Sequence, residues 1–215
     1  MKKLILFIIL CFFSILSFKT EASLIYSLDK DYIYLTFDDG YSLKNTTDIY
    51  NFCESNQIPA TFFFHGDFIK NCPVITSKIC FSSYCKIGNH TYSHKDITLM
   101  SDKELIDDIK LYERTYKKAT GVELQKLFRP PLGKITERQI NLIENLGYTI
   151  YKWNVAYYDY NYKADYGVTY VFNELKSQIK PGSIILMHTM LNSNVKVLPL
   201  LLDYCKKNNY VFGSL

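Results

Sequence analysis

The stretch "YIYLTFDDGYS", residues 32–42, decides the fold. Its first six residues are mostly apolar, aromatic or β-branched, a pattern that predicts a buried strand. The strand ends in two adjacent carboxylates, Asp38 and Asp39, which are expected to point to opposite faces because strand side chains alternate. Nearby anions repel unless cations compensate, so each carboxylate is expected to have a positively charged partner. Gly40 is expected to let the backbone turn close to a substrate.

Apolar runs alternate with helical patterns along the chain, which is typical of parallel βαβ units and predicts the α/β class. The predicted strands cover residues 32–38, 60–65, 86–89, 127–129, 149–155, 183–188 and 210–214. The predicted helices cover residues 45–56, 102–118, 136–146, 168–178 and 195–208. Ser101 and Glu104 predict a capping box at the start of one helix. So many strands in 215 residues favour a barrel or a barrel-like closed sheet in one domain, residues 23–215.

Residues 1–22 have the pattern of a secretory signal peptide. Lys2 and Lys3 precede an apolar run, residues 4–18, that is shorter than the about 20 residues needed to span a membrane. A cleaved signal is expected, with an uncleaved anchor as the alternative, so the protein would be secreted or extracytoplasmic. It would touch a membrane only through this segment. Cleavage would lower the formal net charge from +4 to +2, so no nucleic-acid partner is expected.

The cysteines do not form an evident disulfide framework. Five remain after residue 22, and an odd number argues against complete pairing: Cys53, Cys72, Cys80, Cys85 and Cys205. A bridge between Cys80 and Cys85 across a short loop is one alternative, but buried thiols are favoured. The sequence has no CxxC pair to support a thiolate metal site.

Polar side chains collect at the C-terminal ends of the predicted strands, the edge at which parallel α/β folds build their sites. In "GNHTYSH", His90 and His94 are four residues apart and would face one side if the segment turned helically. Two imidazoles and one Asp oxygen can hold a divalent cation with positions left open, the catalytic arrangement of zinc. The same ligands suit non-haem iron, although there the His and Asp usually lie only two positions apart.

A hydrolytic site also needs a base and an acid. Asp38, beside the metal, could be the base, and His188, at the end of a predicted strand, could be the acid. Arg129, in "LFRPPLG", could hold Asp38 ionised. The remaining histidine, His65 in "FFFHGDF", is expected to have a structural role.

Five motifs, "TFDDG", "HTYSH", "RPPLG", "WNVAYYDY" and "IILMH", occur in the order and spacing of a known family. After residue 22 the chain resembles the polysaccharide deacetylase family, also called the NodB-homology or carbohydrate esterase 4 family. The resemblance implies a distorted (β/α)7 barrel and a metal-dependent hydrolase that removes N-acetyl groups from amino sugars. It implies a divalent metal, Zn²⁺ first with Co²⁺, Mn²⁺ or Fe²⁺ as alternatives, held by Asp39, His90 and His94.

The resemblance also implies a role for each acid–base residue. Asp38 would take a proton from the attacking water, and His188 would protonate the leaving sugar nitrogen. Arg129 would orient Asp38, and Asp159 would tune His188.

Two positions depart from the family pattern and would alter the substrate wall. Ala156 stands where the family has an aspartate, and Tyr160 stands where it has a tryptophan. Tyr160 and Pro130 are expected to contact the substrate.

The segments "AYYDY" and "HTMLNSN" and the ending "YVFGSL" resemble the branch of delta-lactam-biosynthetic de-N-acetylases. That branch acts on N-acetylmuramic acid of spore-cortex peptidoglycan, so this is the expected substrate. The alternatives are a chitooligosaccharide or xylan deacetylase of the same family, or a non-catalytic glycan-binding relative. A monomer is expected.

Overall fold

The computed structural model describes residues 24–28, 31–161 and 165–215. Residues 1–22, where a signal peptide is predicted, lie outside the described residues. Within the described ranges, no helix combines the length and the apolar character needed to cross a bilayer.

The described residues form a parallel sheet flanked by helices. Its strands are β1 (Leu24–Ile25), β2 (Tyr32–Asp39), β3 (Ala60–Phe64), β4 (Cys85–Asn89), β5 (Leu127–Phe128), β6 (Thr149–Tyr151), β7 (Ile184–His188) and β8 (Val211–Phe212). The order is β1-β6-β5-β4-β3-β2-β7, and β8 pairs with the start of β2. All of these ladders are parallel, and the curled path confirms the predicted (β/α)7 class.

Two isolated bridges draw the edges of the sheet together. Val155 pairs with Ile185 of β7, and Ser27, just after β1, pairs with Ser183. The strand predicted over residues 149–155 therefore ends at Tyr151. Of residues 152–155, Val155 alone pairs with the sheet again. The strand at residues 24–25 was not predicted, because two residues carry no readable periodicity.

The helices are α1 (Leu43–Asn56), α2 (Gly66–Asn71), α3 (Pro73–Cys80), α4 (Asp102–Thr120), α5 (Glu137–Asn145), α6 (Val168–Gln178), α7 (Asn192–Lys196) and α8 (Leu198–Lys207). The predicted helices are confirmed, except that residues 195–208 belong to two helices, with a proline in the first turn of α8. The helices α2 and α3 were not predicted. Each is short, and Pro73 separates them, so neither shows a full amphipathic period.

One predicted cap and one predicted structural residue hold the starts of two helices. Ser101 and Glu104 form the capping box of α4. His65 has the structural role expected of it, because its Nδ1 accepts a hydrogen bond from the backbone N–H of Phe68 at 3.3 Å and caps α2.

Side chains of β2 alternate between two apolar clusters. Ile33, Leu35 and Phe37 pack in the main core, while Tyr34 packs with Phe63 and others in a second cluster. The alternation continues along β2, so Thr36 and Asp38 lie on the same side as Tyr34. This is the side on which the polar site is built.

The five cysteines of the described residues are free thiols. Cys53, Cys85 and Cys205 are buried, whereas Cys72 and Cys80 are partly exposed. The prediction of thiols in place of a Cys80–Cys85 bridge is confirmed, but the predicted burial is wrong for Cys72 and Cys80.

Candidate active site

The two carboxylates at the end of β2 face one cavity. Asp38 Oδ2 lies 3.7 Å and Asp39 Oδ1 lies 3.4 Å from Nε2 of His90. The prediction that they point to opposite faces is wrong. Asp39 has a φ of +75°, in the left-handed region, and the alternation of a strand holds only for extended backbone.

Position 40 needs a glycine because neighbouring side chains leave no room for a Cβ atom. Its φ is +83°, and a Cβ at this position would lie 2.6 Å from Cγ of Phe68 and 2.8 Å from Cδ1 of Phe64. This φ confirms the expected turn of the backbone, whereas closeness to a substrate stays a prediction. The space that a side chain would take is filled by phenylalanine rings.

The segment that carries His90 and His94 is a tight loop. Thr91 and His94 have φ values of +64° and +52°, so the expected helical turn is absent from this described segment. The loop is held by hydrogen bonds from the Thr91 N–H to Asn89 Oδ1 at 2.8 Å and from the His94 N–H to Thr91 Oγ1 at 3.0 Å. It places the centroids of the two imidazole rings 4.9 Å apart, so the two histidines are neighbours as expected although the backbone between them is not helical.

Asp39, His90 and His94 offer ligand atoms that all lie within 4.8 Å of one another. Nε2 of His94 is 2.9 Å from Asp39 Oδ1. His90 Nδ1 lies 2.8 Å from the carbonyl oxygen of Arg129, which can only accept, so Nδ1 carries the proton and the lone pair of Nε2 faces Asp39. Oδ1 of Asp39 is buried and, despite these approaches, accepts no hydrogen bond of good geometry among the described residues. These donors fit a divalent cation.

The charges of the three groups agree with that fit. Burial would raise the pKa of Asp39, but the imidazoles of His90 and His94 hold it well below its usual range. Burial would lower the pKa of His90, but the carboxylates of Asp38 and Asp39 raise it. A buried carboxylate that stays ionised beside two imidazoles is what a cation site requires.

Arg129 binds the other oxygen of Asp38. Its Nη1 donates to Asp38 Oδ1 at 2.8 Å and to Thr36 Oγ1 at 2.7 Å, and the guanidinium is fully buried. Its Nε and Nη2 donate to the carbonyl oxygens of Tyr151 and Lys152 at 3.3 and 3.0 Å. The guanidinium is thus fixed, and Asp38 keeps Oδ2 directed at the cavity.

His188, the last residue of β7, is paired with Asp159. Its Nδ1 lies 2.6 Å from Asp159 Oδ1, and its Nε2 lies 3.4 Å from Asp39 Oδ2, so Nε2 faces the cavity. Burial would lower the pKa of His188, but the hydrogen bond and charge of Asp159 raise it to about 9. A histidine held in this way carries a proton at neutral pH.

Comparison with known proteins agrees with this arrangement. The family model for polysaccharide deacetylases matches residues 26–151. The chain belongs to the polysaccharide deacetylase family.

Individual relatives extend the similarity across most of the deacetylase. This chain is 30% identical over 183 residues to PdaA of Bacillus subtilis, a peptidoglycan-N-acetylmuramic acid deacetylase. The match covers 85% of this chain and 69% of PdaA. The solved structure of PdaA, a family 4 carbohydrate esterase, superposes with a TM-score of 0.83 at 29% identity, covering 88% of this chain and 81% of that one.

Two further relatives are named for other amino sugars. A peptidoglycan-N-acetylglucosamine deacetylase of Bacillus cereus is 31% identical over 161 residues. The match covers 75% of this chain and 57% of the Bacillus cereus protein. A chitooligosaccharide deacetylase of Bradyrhizobium is 28% identical over 156 residues. The match covers 73% of this chain and 69% of the Bradyrhizobium protein. The resemblance read from the motifs is confirmed, and the chain is an N-deacetylase of glycans.

The site of the deacetylase opens into a cavity of about 630 Å³, a size typical of small-ligand sites. Its polar floor is formed by Asp38, Asp39, His90, His94 and His188. Its walls come from Tyr41, Leu132, Gly133, Lys134, Trp153, Ala156, Tyr157, Tyr160, Leu186 and Met190.

The residues predicted to contact substrate differ in their placement. Tyr160 lines the cavity, is 60% exposed, and its ring centroid lies 6.5 Å from that of His188. Pro130 is buried and is not among the described residues that line the cavity. Later residues of its loop, Leu132 and Gly133, line it in place of Pro130.

Two residues that hold the acid–base groups were missed from the sequence. Thr36 accepts a hydrogen bond from Arg129, and its signal was present, as a polar residue on the same strand face as Asp38. Asn194, in α7, donates a hydrogen bond to Asp159 at 2.7 Å. Asn194 is the last residue of the segment "HTMLNSN", which resembles the delta-lactam-biosynthetic branch, but the sequence assigned no role to it.

Proposed function

We propose that this deacetylase is a metal-dependent hydrolase that removes the acetyl group from N-acetylmuramic acid of peptidoglycan. The observation that carries the proposal is the meeting of a three-residue ligand set and two acid–base pairs in one cavity: Asp39, His90 and His94, with Asp38–Arg129 and His188–Asp159.

The reaction consumes one water and gives acetate and a sugar amine. Asp38 Oδ2, on the cavity side, takes the proton of the attacking water, while Arg129 holds Oδ1 and with it the plane of the carboxylate. The C–N bond breaks as His188 Nε2 gives its proton to the nitrogen, so the product leaves as an amine. His188 can do so because Asp159 keeps it protonated.

A divalent cation would be held by Asp39, His90 and His94, with Zn²⁺ first and Co²⁺, Mn²⁺ or Fe²⁺ as alternatives. When bound, it supplies Lewis-acid chemistry to the acetamide carbonyl.

The substrate is proposed from the similarity to PdaA and from one charge in the cavity. N-acetylmuramic acid differs from N-acetylglucosamine by a lactyl group that ends in a carboxylate. Among the described residues that line the cavity, Lys134 is the one lysine or arginine. Its Nζ is 2.9 Å from Asp96 Oδ2, an interaction that needs only one of its three ammonium protons.

Acetate release tests the activity and the substrate together. The purified enzyme, stripped with chelator and then supplied with Zn²⁺ or Co²⁺, is assayed on peptide-free peptidoglycan strands, chitotetraose and acetylxylan. We expect release with added metal only, and fastest from peptidoglycan strands at muramic acid. No release from any substrate would contradict the proposal and favour a non-catalytic glycan-binding role.

Faster release from chitotetraose would favour a second candidate, a chitooligosaccharide or glucosamine deacetylase, which the similarity to the Bacillus cereus and Bradyrhizobium enzymes supports. Lys134→Met sharpens the distinction. It is expected to lower the rate on muramic acid several-fold more than the rate on N-acetylglucosamine, because only the former carries the lactyl carboxylate. Equal losses would remove Lys134 as a support for the substrate.

We also propose that the protein acts as a monomer outside the cytoplasm and contributes to muramic δ-lactam in spore-cortex peptidoglycan. The signal pattern of residues 1–22 and the similarity to PdaA support these proposals. Mass spectrometry of spore walls with and without the protein tests the last of them, with loss of δ-lactam expected. N-terminal sequencing tests signal cleavage, and light scattering tests the monomer.

A further inference from the structure

We propose that Asn194 is a positioning residue for the general acid. Its side-chain amide holds Asp159 in the orientation in which Asp159 aligns His188. The inference rests on the proposed role of His188 as the acid, and it adds a residue that none of the motifs assigned.

The amide of Asn194 is buried and its hydrogen-bonding capacity is used. Nδ2 donates to Asp159 Oδ2 at 2.7 Å and to the carbonyl oxygen of His188 at 2.8 Å. Oδ1 accepts from the hydroxyl of Tyr157, which itself lines the cavity. The partners fix which way the amide points, because the carboxylate and the carbonyl can only accept.

Asn194 ties the acid pair to a second element of the fold. Asp159 Oδ1 is bonded to Nδ1 of His188, and Oδ2 accepts from the backbone N–H of His188 at 2.7 Å. Among the described residues, the third hydrogen bond to this carboxylate comes from Asn194 in α7. Without it, the hydrogen bonds to Asp159 from the described part of the chain would all come from His188, the residue that Asp159 aligns.

The alignment matters because His188 must meet the leaving nitrogen at one place. Its Nε2 lies 3.4 Å from Asp39 Oδ2, so the ring already stands at the floor of the cavity. A displacement of about 1 Å in such a group can cost about a hundredfold in rate. Asn194 is therefore expected to affect turnover more than substrate binding.

A comparison of leaving groups tests this role. Acetamido sugars need a proton on nitrogen before the amine leaves, whereas para-nitrophenyl acetate releases a stable phenolate without one. We expect Asn194→Ala to lower kcat on the acetamido substrate by roughly 10–100-fold with KM nearly unchanged, while the ester rate stays close to wild type. Asn194→Asp keeps the shape but loses the NH₂ donor, so the same selective loss is expected.

Asn45→Ala is the matched control. Asn45 is also a buried asparagine, and its Nδ2 donates to the carbonyl oxygen of Met190 at 3.2 Å, in the loop between β7 and α7. Its amide is directed at Met190 and not at Asp159, so the amide-to-ester rate ratio of Asn45→Ala is expected to equal that of wild type. An equal loss on both substrates in Asn194→Ala, or no loss at all, would overturn the inference.

His188→Ala distinguishes a failure of the proposed role of Asn194 from a failure of the proposed role of His188. A loss confined to the acetamido substrate in His188→Ala, with none in Asn194→Ala, would overturn the role of Asn194 and leave His188 as the acid. If His188→Ala lowered the rates on the acetamido substrate and on the ester equally, the role of His188 as the acid would be contradicted. The role of Asn194 would then be contradicted as well.

A measurement that needs no turnover completes the test. The Nδ1 proton of His188, shared with Asp159, should give a far-downfield proton resonance, assigned by its loss in His188→Ala. Asn194→Ala is expected to move this resonance upfield or broaden it by exchange with water. An unchanged resonance would overturn the inference, whatever the ester assay gives.

Discussion

Asp38 and Asp39 occupy one cavity but are held by different partners. Arg129 binds one oxygen of Asp38 at 2.8 Å, while Asp39 lies against His90 and His94. Repulsion between two buried carboxylates is offset because each has its own cationic or cation-binding group. In the proposed function the partners also separate the roles, because Asp38 would face the attacking water and Asp39 would face the metal.

Asp38→Asn tests this separation. The amide cannot take a proton from water, so we expect kcat to fall by roughly 10²–10⁴-fold or more. Metal content, measured by mass spectrometry of the purified protein, is expected to stay near one ion per chain, because Asp38 is outside the ligand set. A near-normal rate would show that another group is the base.

His90→Ala is the matching variant for the ligand set. Removing Nε2 takes away one of the three ligand groups, so this variant is expected to lose both the metal and the activity. Retention of the metal at wild-type affinity would contradict the ligand assignment while leaving the test of Asp38 intact.

Asp159→Asn is expected to change the pH dependence of the rate. The acid must be protonated, so activity falls as pH rises through the pKa of His188, which Asp159 raises to about 9. Removing the carboxylate lowers that pKa, so the alkaline limb of the kcat profile is expected to move to lower pH. Asp165→Asn, on a neighbouring carboxylate that contacts Ser193, is the control and should leave the limb in place. An unmoved limb in Asp159→Asn would contradict the pairing.

At the scale of elements, the sequence predicted the strands that carry the site and missed their terminal geometry. The residues at the ends of β2, β4 and β7 lie where the periodicity placed them, because burial and alternation are properties of residues near in sequence. The direction of Asp39 could not be predicted, since a non-glycine residue seldom adopts a φ of +75°. The next residue, Gly40, also has a positive φ and is packed against the rings of Phe64 and Phe68.

Gly40→Ala tests that packing. An alanine would adopt an unfavourable left-handed conformation, costing about 1–2 kcal/mol, and its Cβ would collide with Phe64 and Phe68. Overpacking of this kind costs roughly 1–3 kcal/mol more. The free energy of unfolding, measured with denaturant, is expected to fall by the sum of the two.

Gly121→Ala isolates the backbone contribution to that loss. Gly121 has nearly the same φ, +82°, but a Cβ there would have nothing within 4 Å. We expect only the conformational cost in this variant. Equal losses at Gly40 and Gly121 would show that contact with the phenylalanine rings is unimportant.

The hydrogen bonds that hold the acid–base groups were beyond sequence reasoning for a different reason. Thr36 and Arg129 are 93 residues apart, and Asn194 and Asp159 are 35 apart. Periodicity assigns each residue to an element and a face, but it does not say which faces meet across the barrel. Arg129 was inferred from its place at the end of a predicted strand and Asp159 from the family resemblance, and the further partners Thr36 and Asn194 appear only in three dimensions.

At the scale of the whole molecule, the curl of the sheet makes the site possible. Strands β5 and β2 are separated by β4 and β3, so in a flat sheet they would lie about 14 Å apart, at about 4.8 Å per strand. Arg129, just after β5, nevertheless reaches Asp38 at 2.8 Å. The bridge between Val155 and Ile185 likewise draws β7 toward the segment that leads to Asp159. Closure of the barrel thus brings both acid–base pairs over the same floor.

Metal binding should therefore stabilise the whole domain. Its ligands come from the end of β2 and from the loop after β4, so a bound cation would join two parts of the sheet edge. A ligand that binds only the folded state, at a hundredfold excess over its Kd, adds about 2.7 kcal/mol. For a domain of this size, chelation is expected to lower Tm by roughly 5–10 °C, and Zn²⁺ to restore it.

His90→Ala is the control for that shift, because a protein without the ligand set should melt at the same temperature with and without Zn²⁺. Asp38→Asn should still respond to the metal, since the residue binds Arg129 and is outside the ligand set. Chelation could abolish the activity of the wild-type protein and leave its Tm unchanged. That result would mean that the cation contributes to the chemistry but does not join the strands. Equal responses in wild type and His90→Ala would place the metal elsewhere.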